Sequence, residues 1–321
     1  MIHAGYLSLL LLLVINTCAA NEPRKFADFT RNGMPNIQSN NAIVIDWSKN
    51  IVLFEKNADE PRPIASLSKL AAILVIHEEC KLPPDRLHTM SKDNRDGAKG
   101  GDKSKLTTGW SFSIFDLMQA ALMRSDNRAL PALAEACGLT PAELGERMSL
   151  RVKKLGLTKT QFVEPNGLSP ENISTAREVA ELLKTVVAIP EIAAIMLQNR
   201  ATITAHHDGK SRSIMIFNTD RLLWRDSVRI LGGKTGFTNL ARYCLAVAAE
   251  RDDSRRFAMV FLGAEGRHTR FGDFSRVFRW LQKTIPPESP TESAPANSIE
   301  KDSEQNSDQE ATAVPPTELE Q

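Results

Sequence analysis

The chain has 321 residues, 42% of them hydrophobic and 25% charged, with a formal net charge of +1. This is ordinary globular composition, with material for one large domain or two closely packed lobes. No internal repeat, nucleotide-binding glycine fingerprint or nucleic-acid module is present, so a phosphate-driven or nucleic-acid-binding role has no support in the sequence.

Residues 1–20 contain no Lys, Arg, Asp or Glu, and their apolar run, Leu7 to Ile15, is too short to span a bilayer. With small residues at Cys18-Ala19-Ala20, the segment reads as a secretory signal cut near Ala20, which predicts export to the periplasm or the cell-envelope exterior. Cys18 also invites a lipoprotein reading, which the preceding Asn16-Thr17 disfavours. Residues 21–40 form an N-terminal extension. Two apolar runs, Asn41–Trp47 and Ile51–Glu55, joined by Ser48-Lys49-Asn50, predict a β-hairpin. After Pro61-Arg62-Pro63, apolar residues at Leu67, Leu70, Ala71, Leu74 and Val75 predict a largely buried helix from Ser66. A polar loop with Gly97, Gly100 and Gly101 follows over Ser91–Thr108. Helices are predicted over Ile114–Cys137, Pro141–Leu155 and Thr175–Val187, the second with Pro at its first position and the third capped by Ser174 or Thr175. Strand-like runs lie around Ile230, at Arg242–Glu250 and at Phe257–Gly263, and a last helix at Phe274–Gln282.

From Glu288 the chain carries nine acidic residues and one Lys, with no aromatic residue, and is expected to be a disordered acidic tail. The tail has no amphipathic pattern, so no C-terminal membrane anchor is expected. With +1 overall, −8 in the tail and no formal charge in residues 1–20, residues 21–287 carry +9. A basic body suits an anionic, carboxylate-bearing polymer, and equally serves as a solubilising surface. Strands at both ends around a helical block predict an α+β fold: one antiparallel sheet built from both chain ends, with a helical lobe inserted. Of the four cysteines, Cys80 and Cys137 suit a disulfide in an oxidising compartment, but the favoured reading takes Cys80, Cys137 and Cys244 as small buried hydrophobes.

Three short motifs carry chemistry. Ser66-Leu67-Ser68-Lys69 opens the buried helix, so the Ser66 hydroxyl and Lys69 amine share a face. A desolvated amine loses proton affinity and can serve as a base at neutral pH. Ser125-Asp126-Asn127 interrupts an apolar helical pattern, which suggests a break at a cleft; Ser125 can pass a proton and Asn127 can hydrogen-bond a peptide. Lys234-Thr235-Gly236 precedes the last strands and offers an ammonium and a hydroxyl to a carboxylate, with Gly236 allowing close backbone approach. Taken singly, each also fits a plain structural role: an N-cap, a helix-to-helix turn, a strand edge.

Together, Ser-x-x-Lys, Ser-Asp-Asn and Lys-Thr-Gly are the joint signature of penicillin-binding proteins and class A β-lactamases. Pro63–Leu70, Ala121–Ala129, Phe162–Glu178, Phe217–Leu223 and Lys234–Leu245 extend the likeness over roughly residues 41–282. The chain resembles the low-molecular-mass penicillin-binding proteins, the serine D-alanyl-D-alanine carboxypeptidase and endopeptidase family, and looks most like the short endopeptidase branch. It departs from the family at Arg242, where Gly is usual, and in the basic segment Lys99–Leu106.

The resemblance implies a catalytic domain over 41–285 that acts on peptidoglycan stem peptides, needs no metal or organic cofactor, and is inhibited by β-lactam antibiotics. Ser66 is the implied nucleophile, Lys69 its base, and Ser125 the proton relay to the leaving amine. Asn127 is expected to position the peptide, Lys234 and Thr235 to bind the leaving-side carboxylate, and the backbone N–H groups of Ser66 and Phe237 to form the oxyanion hole, with Gly236 lining the approach. Free D-Ala and a cross-linked residue both present a D-centre carboxylate, so Lys234 and Thr235 serve either. A class A β-lactamase is the near rival, but its deacylating Glu is followed four residues later by Asn, whereas Glu164 is followed by Leu168. A catalytically silent wall-binding homologue is the rival from another class; all the motif residues being present argues against it.

Overall fold

A computed structural model describes residues 27–96, 104–225 and 228–286. The expected signal segment, residues 21–26, the glycine-bearing stretch 97–103 and the acidic tail from 287 lie outside the described residues. The expected hairpin is formed by β1 (Asn41–Asp46) and β2 (Ile51–Lys56), antiparallel across a turn where Asn50 takes φ 53°. β3 (Arg62–Pro63) leads through a 3-10 turn, Ala65–Ser68, into α1 (Lys69–Val75), which widens to a π turn at Ile76–Cys80. After β4 (Leu87–Thr89), the expected loop holds one short helix, α2 (Lys92–Asp96).

The helix predicted over Ile114–Cys137 is two helices, parted at the break expected at Ser125-Asp126-Asn127. Beyond β5 (Ser111–Ser113), α3 (Ile114–Gln119) enters a π turn at Ala120–Arg124 and stops at Ser125, whose φ of 63° no helix can continue. The chain resumes as α4 (Ala129–Ala136). α5 (Pro141–Lys154) starts from a capping box between Thr140 and Glu143. β6 (Ile173–Ser174) pairs with β3, and α6 (Ala176–Val187) begins where the Thr175 side chain accepts the Glu178 N–H.

The larger elements that went unpredicted are α7 (Pro190–Met196) and the hairpin β7 (Arg200–His207) with β8 (Lys210–Phe217), beside the short strands β3, β4, β5 and β6. The hairpin turns on Asp208-Gly209, both at positive φ, an Asp-Gly pair of the kind that joins two strands tightly. The chain closes with β9 (Arg229–Thr238), β10 (Arg242–Glu250), β11 (Arg256–Ala264) and α8 (Thr269–Thr284), the last starting five residues before the predicted Phe274.

The main sheet runs β2-β1-β11-β10-β9, antiparallel throughout, and is assembled from both chain ends around an inserted lobe as expected. The lobe is not purely helical, because β4, β5, β7 and β8 form a second sheet within it. Period-two alternation divides the main sheet cleanly. Ile43, Ala246, Ala248, Ala258 and Val260 belong to the core shared with α1 and α6. Val44, Leu245, Val247, Phe257 and Phe261 belong to the core shared with Phe271, Phe274 and Phe278 of α8. Buried Asp273 of α8 accepts the Gln38 and Ser39 N–H groups at 2.9 and 2.8 Å, which fastens the end of the N-terminal extension to the domain.

The cysteine reading needs correcting. Cys80, where α1's π turn ends, and Cys137, at the end of α4, form a disulfide with Cα atoms 5.6 Å apart, while Cys244 is free and buried. Helix geometry brings two chain-distant ends together, which the spacing in sequence does not reveal. The bridge spans 57 residues, so its loss should destabilise the fold by about 4 kcal/mol on the chain-entropy account. The double substitution Cys80→Ser/Cys137→Ser should lower the urea midpoint and raise the m-value, because the unfolded chain is no longer cross-linked, measured against the oxidised protein.

Candidate active site

Ser66 sits in the 3-10 turn that launches α1, preceded by Ala65 at φ 50°. The turn is held from both sides. Ser68 donates to the Ala65 carbonyl at 2.9 Å, and the Asn172 amide donates to Ser68 Oγ at 3.1 Å. Gly167 comes so close to this turn that an added Cβ would lie 1.9 Å from the Ala65 carbonyl oxygen, and its own φ is +79°. Gly236 of β9 crowds it from the other side, where a Cβ would lie 3.0 Å from both the Ile64 oxygen and the Ser66 nitrogen.

Lys69, one helical turn on, is completely buried. Its Nζ donates to Asn127 Oδ1 at 2.8 Å, to the Asn166 carbonyl at 3.0 Å and to Asn166 Oδ1 at 3.1 Å. Burial lowers its pKa to about 7, against the opposing pull of Glu164 and Asp126. The Glu164 carboxylate is itself occupied, accepting the N–H groups of Asn166 at 2.6 Å, Leu168 at 2.7 Å and Ser169 at 3.1 Å.

Ser125 and Asn127 reach the cleft through the break between α3 and α4. Asp126, between them, points the other way: it accepts from Ser104 Oγ at 2.8 Å and from the N–H groups of Lys105 and Arg128 at 3.0 Å. Lys234, also buried, donates to Ser125 Oγ at 2.9 Å and to the Thr235 carbonyl at 3.0 Å. Burial, with the like charges of Lys69 and Arg270, holds its proton affinity well below that of a free lysine. Thr235 donates to Thr219 Oγ1 at 2.7 Å, and Thr219 binds the Met123 carbonyl just before the break.

These groups surround one cleft of about 660 Å³, with Ser66, Ser125, Asn127, Thr235, Gly236 and Phe237 in its lining and the two lysines beneath. Every site residue expected from the sequence is therefore at or directly under one cavity, of the size small-molecule and peptide-end sites take. Four contributors were not foreseen: Asn166, Thr219, Asp220 and Arg270. Arg270 is buried and donates to the Gly236 and Cys244 carbonyls at 2.8 and 2.9 Å, bracing β9 from behind. Only Asn166 had a local cue, the turn-forming Pro165-Asn166-Gly167. Arg242 takes φ 60° at the β9–β10 turn, a conformation that suits glycine, and pairs with Glu265 at 2.8 Å.

The sheet, the lobe and the cleft define a D,D-peptidase type of fold. The crystal structure of the Streptomyces K15 DD-transpeptidase matches with a TM-score of 0.72 at 22% identity, covering 77% of this chain and 97% of that one. A D-alanyl-D-alanine carboxypeptidase from Mycobacterium tuberculosis matches with a TM-score of 0.68 at 25% identity, covering 77% and 91%. In sequence, the chain is 33% identical to a D-alanyl-D-alanine endopeptidase of Escherichia coli over 86% of this chain and 87% of the relative. It is 32% identical to one from Pseudomonas aeruginosa over 77% and 78%. The family model described as D-alanyl-D-alanine carboxypeptidase matches residues 28–266, and the chain belongs to that family of serine D,D-peptidases.

The contact at Gly167 yields a paired test. Gly167→Ala should displace the Ala65–Ser66 backbone and slow acylation of Ser66 by a fluorescent penicillin at least ~100-fold. Gly156→Ala, also at positive φ but with nothing within 4 Å of the added Cβ, should cost about 1 kcal/mol of stability and leave acylation intact.

Proposed function

We propose that the protein hydrolyses D-Ala-D-X bonds of peptidoglycan stem peptides through a Ser66 acyl-enzyme, in the periplasm or at the envelope exterior, and that penicillin blocks it by acylating the same serine. The observation that carries the reading is Lys69: fully buried, one turn from Ser66, and held near neutrality at a pKa of about 7. Among the described residues no helix is long and apolar enough to cross a membrane.

In this mechanism neutral Lys69 takes the Ser66 proton as Ser66 Oγ attacks the carbonyl carbon. The backbone N–H groups of Ser66 and Phe237 stabilise the oxyanion that develops. The C–N bond then breaks, and the proton that Lys69 took reaches the departing amine through Ser125, which gives one proton as it takes another. The bond from Lys234 to Ser125 keeps that hydroxyl oriented. Asn127 accepts from Lys69 through Oδ1, which leaves its Nδ2 to donate to the peptide. Lys234 and Thr235 hold the leaving-side carboxylate; water then attacks the acyl carbon, the ester bond to Ser66 Oγ breaks, and the water's proton returns to Ser66 by way of Lys69. Glu164, with its oxygens committed to three loop N–H groups, favours a peptidase over a β-lactamase.

Intact-mass analysis of residues 21–321 with benzylpenicillin should give a persistent adduct that maps to Ser66 and is lost in Ser66→Ala. Rapid turnover of the drug would indicate a β-lactamase instead, and untouched drug a silent homologue. The acylation rate should rise with pH through an apparent pKa near 7, because below it Lys69 is protonated and cannot accept a proton. Lys69→Ala should lose several orders of magnitude in acylation; normal turnover by that variant would remove Lys69 as the base.

A further inference from the structure

We infer that a second cavity beside the cleft, walled by Phe217 and Trp224, is a saccharide site that takes a sugar ring of the glycan strand to which the stem peptides are attached. The inference rests on the D,D-peptidase reading and adds a binding site outside the catalytic cleft. The cavity measures about 730 Å³, as large as the cleft itself. Phe217 ends β8 and Trp224 ends the 3-10 turn Arg221–Trp224, and both rings are about half exposed. Packing does not call for the indole: Leu222 and Leu223 are the residues of that turn that join the core toward α8. The floor is fixed. Phe271 is buried, and Asn218 is held by its donations to the Met196 and Gln198 carbonyls at 3.1 and 2.9 Å. Around the rings, N–H donors come from Arg225, anchored to Ser275 Oγ at 2.8 Å, and from the exposed Arg221 and His268.

Position and chemistry together point to the ligand. Thr219 and Arg267 line the cleft, while their chain neighbours Asn218 and His268 line the second cavity. At both places the two hollows are one residue apart along the backbone, a Cα step of about 3.8 Å. A polymer whose peptide lies in the cleft can therefore lie across both. Its sugars suit the lining. A pyranose presents an apolar C–H face and, at its edge, hydroxyl and acetamide oxygens. Indole and phenyl rings cover the face, and guanidinium and imidazole N–H groups donate to the edge. Met215, on the same face of β8 as Phe217, is exposed as well and extends the apolar surface beyond the cavity, as a strand longer than one sugar requires.

The test uses chitotetraose, a soluble tetramer of N-acetylglucosamine that carries no peptide. Saturation-transfer NMR should detect its binding to wild type and to Trp224→Tyr, which keeps a ring, and none to Trp224→Ala. Binding should persist in about 0.5 M salt, where charge pairs are screened. On intact sacculi Trp224→Ala should release peptide about fivefold more slowly, the size of one aromatic contact. Its acylation by benzylpenicillin, which has no sugar, should stay within about twofold of wild type. No chitotetraose binding, binding that Trp224→Ala retains, binding that salt abolishes as at an anion site, or equal losses on sacculi and penicillin would each overturn the inference. So would a wild-type dimer that Trp224→Ala dissociates in light scattering, which would give the patch to a second copy of the chain. The penicillin reaction separates the two levels. An adduct on Ser66 without sugar binding removes the role of the cavity alone; no adduct removes the D,D-peptidase reading and this inference with it.

Discussion

Two lysines, Lys69 and Lys234, are buried in one site, and the architecture of the cleft follows from having to house them. An unpaired ammonium in a protein interior costs several kcal/mol, so such a group either neutralises or finds compensating partners. The two lysines are treated differently. Lys69 is ringed by amide oxygens from Asn127 and Asn166, which accept from the charged or the neutral amine alike. Lys234 meets a hydroxyl and a carbonyl, with the charge of Asp220 close by. The first environment suits a base that must change state; the second suits a cation that must keep a hydroxyl aimed.

Housing them demands that three distant chain segments touch, and the backbone yields locally to allow it. Ala65 and Ser125, neither of them glycine, sit at φ 50° and 63°, each at a cost of about 1–2 kcal/mol. Such strain persists only where the surroundings over-determine it. Here they do: α1 is buried at every position, and β9 is clamped between β10 and the Arg270 guanidinium. The aromatic face toward α8 and the alanine-rich face toward α6 let both layers pack against a sheet whose central strands are buried on both sides.

Much of this was legible in the sequence, for identifiable reasons. The main sheet could be read because its strands are short apolar runs bounded by polar turns. The motif residues could be read because chemistry constrains residue type and spacing together. The β7–β8 hairpin was missed because half of its residues are polar and exposed, although Asp208-Gly209 marked its turn. The break within Ile114–Cys137 was legible because polar Ser125-Asp126-Asn127 interrupts the apolar pattern, whereas the π turn just before it leaves no mark in that pattern. The Cys80–Cys137 pairing, the bracing by Arg270 and the bond between Thr219 and Thr235 depend on contacts between remote segments, which no local pattern encodes.

The remaining electrostatic question is how Lys234, with its proton affinity lowered by burial, can serve as the carboxylate site. Asp220 is the nearest answer within the fold. Burial pushes its pKa up to about 6, so it is mostly ionised at neutral pH. One of its oxygens accepts the Leu222 N–H at 2.9 Å, while the other has no hydrogen-bond partner and faces Gly233, where a Cβ would lie 2.6 Å away. A single buried carboxylate set against Lys234 and Arg270 leaves the site one negative charge short. In the proposed mechanism the substrate supplies it: an arriving carboxylate favours the charged form of Lys234 and is held by it, so binding and protonation reinforce one another. Lys69 is denied such a partner, because the one acidic group on its loop side, Glu164, spends its oxygens on backbone N–H groups. That asymmetry leaves one lysine free to gain and lose a proton, while in the proposed mechanism the substrate carboxylate reinforces the charge of its neighbour.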